Sequence, residues 1–338
     1  MFKKLFFLLL NLTFISTYSQ VGGRGVYQFL NLVSSPRQAA LGGKTITTYD
    51  YDVNQPLFNP ASINPEMDGR VALNYGSYLG DVKYGTAAYA YTYDRHLQTF
   101  HAGISYINYG KFDGRDELGQ PTGNFSANEI ALSFGYAYNI PFTKLHLGAN
   151  AKLIASTLES YKSYGVALDL GAIYIDDRND INYALTIRNF GTQLKSYAGN
   201  SEPLPFEIAA GISQELENVP VRWHLTLENL QQWNVAFSNP ARGEQTIDGA
   251  LIPEKVSFLG NAMRHVIFGV ELFPQKAFNI RLSYNFRRAA ELKILEQRTF
   301  SGISAGFGIR FSKFRFDYSY SRYTLASNTS LFGLMINL

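Results

Sequence analysis

"FRFDYSYSRY", residues 314–323, alternates like a chequerboard. Phe314, Phe316, Tyr318 and Tyr320 share one parity, and Arg315, Asp317, Ser319 and Ser321 share the other. Successive side chains of a strand point to opposite faces, so the stretch is a strand with one aromatic and one polar face. In a soluble domain the aromatics would line the core. In an outer-membrane barrel they would face lipid, and the polar set would face a lumen. The fold turns on which face is inside.

The pattern recurs along the chain. Fourteen strands are predicted at 69–79, 83–94, 98–109, 126–138, 143–157, 163–175, 180–191, 204–215, 220–233, 263–273, 277–287, 300–311, 313–322 and 330–338. Most run about ten residues or a little more, the length a tilted strand needs to cross a bilayer. The connections alternate in length. "DRHLQ", "NIPFT", "DDRND", "ELENV", "FPQK" and "SKF" are short, whereas 110–125, 192–203, 234–262, 288–299 and 323–329 are mostly long. Single-chain outer-membrane barrels have short periplasmic turns and longer extracellular loops. The predicted class is therefore all-β, a 14-stranded antiparallel transmembrane barrel with its aromatic faces toward lipid.

The N-terminus agrees. "MFKKLFFLLLNLTFISTYSQ" has Lys3 and Lys4, an apolar run from Leu5 to Leu12, then small and polar residues. That is the layout of a secretory signal peptide, predicted over 1–19 with the mature chain from Gln20. Without the two lysines, 28 basic residues oppose 27 acidic ones, so no nucleic-acid partner is expected. The chain has no cysteine, which excludes both disulfides and a lipid-bearing N-terminal cysteine.

Residues 20–68 are strand-poor and dense in Gly, Pro and Asn. Irregular backbone cannot face lipid, because its polar groups would go unpaired. A bore of fourteen strands is wide enough to need filling. This segment is expected inside the barrel as a hatch, ahead of barrel residues 69–338. Leu41, Ile46, Leu57, Phe58 and Ile63 would give it apolar surface to bury. Arg37 with Asp50 or Asp52 would pair with lumen charges such as Arg310 or Asp317, since a lone buried charge is costly. Gly42 and Gly43 would permit a tight turn or a close approach to the wall.

"PRQAALGG" at 36–43 and "YDYDVNQPLFNPASI" at 49–63, with Asn59 and Pro60 in the Asn-Pro-Ala step, resemble the N-terminal hatch of the long-chain fatty-acid transporter family. Within it, the similarity is greatest to the PorQ-type barrels of type IX secretion, related to the PorV-type shuttle barrels. The terminal Leu338 departs from the aromatic residue that often ends such barrels. The resemblance implies an anchoring subunit of the cell-surface attachment complex. It would hold a PorZ-type surface protein beside PorU- and PorV-type members, where cargo is attached to lipopolysaccharide. The same family offers an alternative, a channel for hydrophobic substrates such as fatty acids.

Nothing points to chemistry. His96, His101, His146, His224 and His265 form no close pair of metal ligands, and no cofactor is expected. There is no Gly-x-Ser-x-Gly elbow. Partner contact is expected instead on the long loops, through Phe112, Arg115 and Asp116 in one and Phe237, Arg242, Glu244 and Phe258 in another. A loop as long as 234–262 with its own apolar residues is uncommon without function. Arg287, Arg288, Arg298 and Arg322 would gather at the outer edge as a site for lipid phosphate. Pairing with Glu291 and Glu296 would make them an ordinary solvated rim.

Overall fold

The computed structural model describes residues 25–77, 82–94, 98–236, 244–245, 251–252, 256–291, 301–322 and 328–338. The predicted signal peptide lies outside the described residues. The strands are β1 (Arg70–Ser77), β2 (Lys83–Asp94), β3 (Gln98–Arg115), β4 (Pro121–Asn139), β5 (Leu145–Leu158), β6 (Tyr161–Asp176), β7 (Ile181–Lys195), β8 (Glu207–Glu215) and β9 (Val221–Leu227). After them come β10 (Glu244–Gln245), β11 (Leu251–Ile252), β12 (Val266–Leu272), β13 (Phe278–Asn285), β14 (Ile303–Phe311), β15 (Phe314–Arg322) and β16 (Asn328–Asn337). Fourteen of these close into one antiparallel barrel, in which β9 pairs with β12. β10 and β11 form a separate small hairpin. Closure joins β1 to β16, from Arg70 opposite Asn337 to Ser77 opposite Ser330. A closed sheet leaves no edge along its seam to template aggregation.

The aromatic face is outside. In β15, Phe314, Phe316 and Tyr320 are exposed and Tyr318 is half-buried, whereas Arg315, Asp317, Ser319 and Ser321 are buried. The same inversion runs round the wall, with Leu73, Tyr91, Phe100, Phe134, Leu185, Phe268, Leu282 and Phe332 all exposed. Soluble proteins rarely expose contiguous apolar surface beyond a few hundred Å².

The connections differ from the sequence reading at several strand ends. Only 116–120 of the predicted loop 110–125 is a turn: β3 and β4 continue on either side of it as a two-stranded ribbon. β2 last pairs β3 at Asn108, and β5 first pairs β4 at Ala127, so the ribbon stands free beyond its neighbours. Seven residues of strand reach roughly 23 Å. Gly110 and Gly123, both with positive φ, break the alternation that would have marked it. Likewise β7 runs on to Lys195, beyond the predicted end at 191.

Residues 25–69 pack against the inner face. They hold α1 (Pro36–Ala40) and short 3-10 turns at Gln28–Asn31, Gln55–Leu57, Pro60–Ser62 and Pro65–Met67. Glycines on the inward parity receive them. A Cβ at Gly103 would meet Leu57, at Gly135 Ile63, at Gly148 and Gly171 the Asn59–Ala61 turn, at Gly306 Ala40, and at Gly333 Pro36. The barrel thus has a recessed inner belt matched to this segment. Two further helices, α2 (Phe258–Met263) and α3 (Phe286–Glu291), sit in connections of the ribbon's rim.

Gly148→Leu would drive a side chain into the Pro60–Ala61 backbone. It is expected to raise protease cleavage within 36–68, while Ala149→Leu on the outer face leaves cleavage unchanged. Wild-type resistance in Gly148→Leu, in a heat-modifiable and therefore folded barrel, would show that the close fit does not hold the segment.

Candidate functional site

The densest polar site lies where α1 meets the wall. Ser35 caps α1, its hydroxyl accepting from the Gln38 amide at 3.3 Å, and Pro36 occupies the first turn, where no amide hydrogen is needed. This geometry presents Arg37. Its guanidinium pairs with Asp50 at 2.8 Å and Asp52 at 3.4 Å within the segment, and with Glu271 of β12 at 2.9 Å. Glu271 also accepts from Arg281 at 2.8 Å, and Arg281 donates to Asp317 at 2.6 Å. Arg315 grips Asp317 and reaches the Tyr51 hydroxyl. The wall partner of Arg37 is therefore Glu271. Asp317 enters two residues further along the network, through Arg281, and Arg310 is exposed outside it.

α1 ends at Gly42 and Gly43, with φ of +94° and +107°. Gly43 donates to the Gln38 carbonyl at 2.8 Å, closing the helix. A Cβ on Gly42 would collide with Ile267. Lys44 follows and pairs with Glu207 at 2.5 Å and Glu228 at 2.7 Å. Asn59 accepts from the Ala61 amide at 3.0 Å and donates to the Ile46 carbonyl at 2.7 Å, which sets Pro60 at the start of its 3-10 turn.

Two features escaped the sequence reading. The first is a bulge where β7 carries two residues against one of β6, between Leu168 and Leu170. It turns both Arg188 and Asn189 inward, with Asn189 at φ 56°. Arg188 donates to Glu207 at 3.1 Å and to the Leu30 carbonyl at 3.0 Å, and stacks 4.2 Å over the Phe58 ring. Lys152 pairs with Asp169 at 2.6 Å and donates to Asn189 at 2.9 Å. The second is the use of histidine. His101 donates to the Val53 carbonyl at 2.9 Å, while His224 and His146 contact the hydroxyls of Thr47 and Tyr49, each at 3.2 Å. His265 lies between the carbonyls of Glu228 and Trp233. His96 lies outside the described residues.

Between the segment and β2–β5 remains a lumen cavity of about 30 Å³, with Phe29, Leu57, Tyr84 and Ile107 on its walls and Lys152 and Arg188 at its polar end. That is the scale of one water, far below the 300–1,000 Å³ of a small-molecule site. No cluster of three or more metal-ligating side chains occurs among the described residues.

The rim residues are placed differently from one another. Phe112 stacks on Phe125 across the ribbon at 5.2 Å, Arg115 donates to the Gly119 carbonyl, and the Asp116 carboxylate accepts from the Leu118 and Gln120 amides. The tip is thus an ordered turn that exposes Leu118. Phe258 opens α2 and packs on Trp233 at 4.9 Å. Glu244 lies in β10, and Phe237, Arg242 and Arg298 lie outside the described residues. Arg287 pairs with Glu291 at 2.9 Å, and Arg288 donates to Ser304 and to the Gly42 carbonyl. These two arginines face the lumen mouth. Arg322 ends β15.

No family model and no curated protein matches the chain. Among solved structures, a FadL homologue of Pseudomonas aeruginosa is similar with a TM-score of 0.52 at 10% identity, over 94% of this chain and all of that one. LpxR from Salmonella typhimurium follows at a TM-score of 0.34 and 8% identity, over 80% of this chain and all of that one. The first likeness is one of fold alone: the closed antiparallel barrel of this chain resembles that of the FadL homologue.

Arg37→Ala would leave Glu271, Asp50 and Asp52 short of a cation in a buried site. It is expected to destabilise the barrel by about 3–5 kcal/mol, measured by denaturant unfolding. The two aspartates differ in sign. Burial raises the Asp50 carboxyl, but Arg37 and Arg222 outweigh it and hold it below its ordinary 3.8. Burial raises Asp52 above 3.8, and Arg37 offsets this only in part. Asp50 therefore contributes stability above its ordinary value and loses it as pH falls through the lowered one. Ionised Asp52 costs stability, and that cost disappears as pH falls through its raised value. Asp50→Asn should weaken the fold at pH 7, with the deficit vanishing in strong acid, whereas Asp52→Asn should be neutral or stabilising at pH 7. Equal losses in the two variants at pH 7 would contradict this.

Proposed function

We propose that the chain is an outer-membrane anchoring subunit, exported by a signal peptide over 1–19, whose hatch over 20–68 keeps the barrel closed. The observation that carries the reading is the occupied lumen. A transport path needs space, and the cavity between the segment and β2–β5 holds about 30 Å³, whereas the roomier apolar groove of about 500 Å³ beside Tyr91, Phe100, Phe134 and Tyr136 lies on the aromatic outer face. The segment is also fastened to the wall through buried ion pairs of Arg37 and Lys44, which a gate would have to break. A barrel closed in this way serves by holding something at the membrane.

The resemblance of the hatch motif to PorQ-type barrels supports a finer version. The partner is then a PorZ-type surface protein, with PorU- and PorV-type members nearby and lipopolysaccharide as the surface to which cargo is joined. The ribbon of β3 and β4 is the leading contact. It extends beyond the neighbouring strands, its tip is stiffened by Asp116, and Leu118 and Phe112 are exposed on it beside Arg115. Aromatic and arginine side chains on a rigid support are typical binding anchors. The ribbon and the longer connections share one rim, which is assigned to the cell surface. The pairing of Arg287 with Glu291 favours a structural role for that arginine. No enzymatic step is assigned.

The FadL-like fold supports a second reading, a channel for hydrophobic substrates. The two readings separate in one pair of measurements. For the anchor, replacing 111–125 by a short Gly-Ser turn should leave a heat-modifiable barrel but cut recovery of a co-purified surface protein at least tenfold. Liposomes carrying the intact barrel should not take up a labelled fatty acid above empty-liposome background. Undiminished partner recovery together with uptake above background would favour the channel.

A further inference from the structure

The wall is lowest where β9 meets β12. Each strand has seven residues, paired from Leu227 opposite Val266 to Val221 opposite Leu272. Seven residues reach roughly 23 Å along a strand, and a barrel tilt of about 40° leaves roughly 18 Å of height. The apolar band of an outer-membrane barrel is about 25 Å tall. Strand alone therefore falls short of the band here, and the backbone flanking these two strands has to stand at membrane depth. On the short-turn side, Leu216, Val219 and Phe273 are exposed in the adjoining turns and fill part of the shortfall.

On the ribbon's side, residues 228–235 after β9 and 256–265 before β12 pack into one knuckle. The Glu228 amide donates to the His265 carbonyl at 2.9 Å. The Asn261 side chain accepts from the Val235 amide at 3.3 Å and donates to the Trp233 carbonyl. The Leu230 amide donates to the Ile208 carbonyl at 2.9 Å. The Gln231 side chain accepts from the Ile208 amide and donates to the Phe206 carbonyl, each at 2.9 Å, and so stands in for strand along the edge of β8. The surface of the knuckle is apolar. Leu230, Trp233, Phe258 and Leu259 are exposed, the last two by 75% and 70%. Its charged residues, Glu228 and Arg264, are both buried. The ribbon, on the far side of the mouth, has the opposite character, with Lys111, Asp113, Arg115, Asp116 and Glu117 all exposed. Irregular backbone set against lipid needs its polar groups satisfied by the protein and its outer surface free of charge, because water is not there to help. The knuckle has both features and the ribbon lacks the second.

We infer that the knuckle is a foot seated in lipid. Phe258 and Leu259 lie among the acyl chains of the leaflet on the ribbon's side, and the Trp233 indole lies at the headgroup boundary, where an apolar ring with one polar N–H is at home. The partner of this surface is the bilayer. The foot completes the apolar band above the two shortest strands and sets the depth at which that part of the rim stands.

The chain has no cysteine, so one nitroxide label can be placed per variant without background. Leu259→Cys, Leu118→Cys and Leu282→Cys barrels are spin-labelled in phosphatidylcholine vesicles. Leu118 is exposed at the ribbon tip and Leu282 on the outer face of β13. Relaxation by oxygen, which concentrates among acyl chains, is compared with relaxation by a water-soluble nickel chelate. The label at 259 is expected to follow the label at 282, with nickel collisions roughly tenfold rarer than at 118. A label at 259 that meets nickel as freely as the one at 118, while 282 remains in lipid, overturns the foot and leaves the barrel's membrane seat standing. Nickel access at all three positions overturns both. A second measurement keeps the foot's own side chains. The chain has two tryptophans, so Trp223→Phe leaves Trp233 as the sole emitter. Its emission is expected to fall by roughly half in vesicles of phosphatidylcholine brominated on the acyl chains, and the added pair Phe258→Asp and Leu259→Asp should lift most of that quenching. Quenching by aqueous acrylamide with none by brominated lipid overturns the inference equally.

Discussion

A closed wall of fourteen strands encloses more space than its own side chains can fill, and everything else in this molecule answers that constraint. Chain entering the bore must have its backbone polar groups satisfied there, since neither lipid nor a dry wall will do it. The answer is reciprocal. The wall recedes at inward glycines and offers His101, Asn150, Asn182 and Arg188 to carbonyls of the segment. The segment offers Arg37 and Lys44 to wall carboxylates. Neither part has a satisfied interior alone, so the segment belongs to the fold as much as any strand does.

The wall was legible because a half-buried strand has the shortest period there is. β2 matches its predicted span of 83–94, and most other strands end within a few residues of theirs. The inversion of faces in β15 also follows once the loop lengths are sorted. The ribbon was not legible, because bulged strands with Gly110, Gly114 and Gly123 read as turn chemistry. The bulge at Asn189 was hidden for a related reason: two successive inward residues look like an error of parity. The inner glycines did carry a signal. Gly135, Gly148, Gly171, Gly211 and Gly306 all fall on the polar parity of their strands, where a lumen open to water would have no need of them. What could not be read is the choice of Glu271 for Arg37, because pairing across 234 residues depends on the path of the segment rather than on any spacing.

The polar networks divide the labour. The Arg37–Glu271–Arg281–Asp317 network joins α1 to β12, β13 and β15. The Lys44–Glu207–Arg188 network joins the segment to β7 and β8, and the Lys152–Asp169 pair braces β5 against β6. Buried ion pairs add little net stability against an apolar alternative, but they penalise wrong arrangements heavily. In a lumen lined by many similar small residues, that penalty is what gives an irregular chain a single seat.

The wall is also uneven in height. β3 to β7 run 14–19 residues, whereas β12 to β16 run 7–10. About 9–11 residues suffice to cross the hydrocarbon core, so β3 to β7 are longer than a crossing requires. Among the described residues, the extra length is thus gathered on one side of the wall rather than spread round it, and the ribbon of β3 and β4 is its far end.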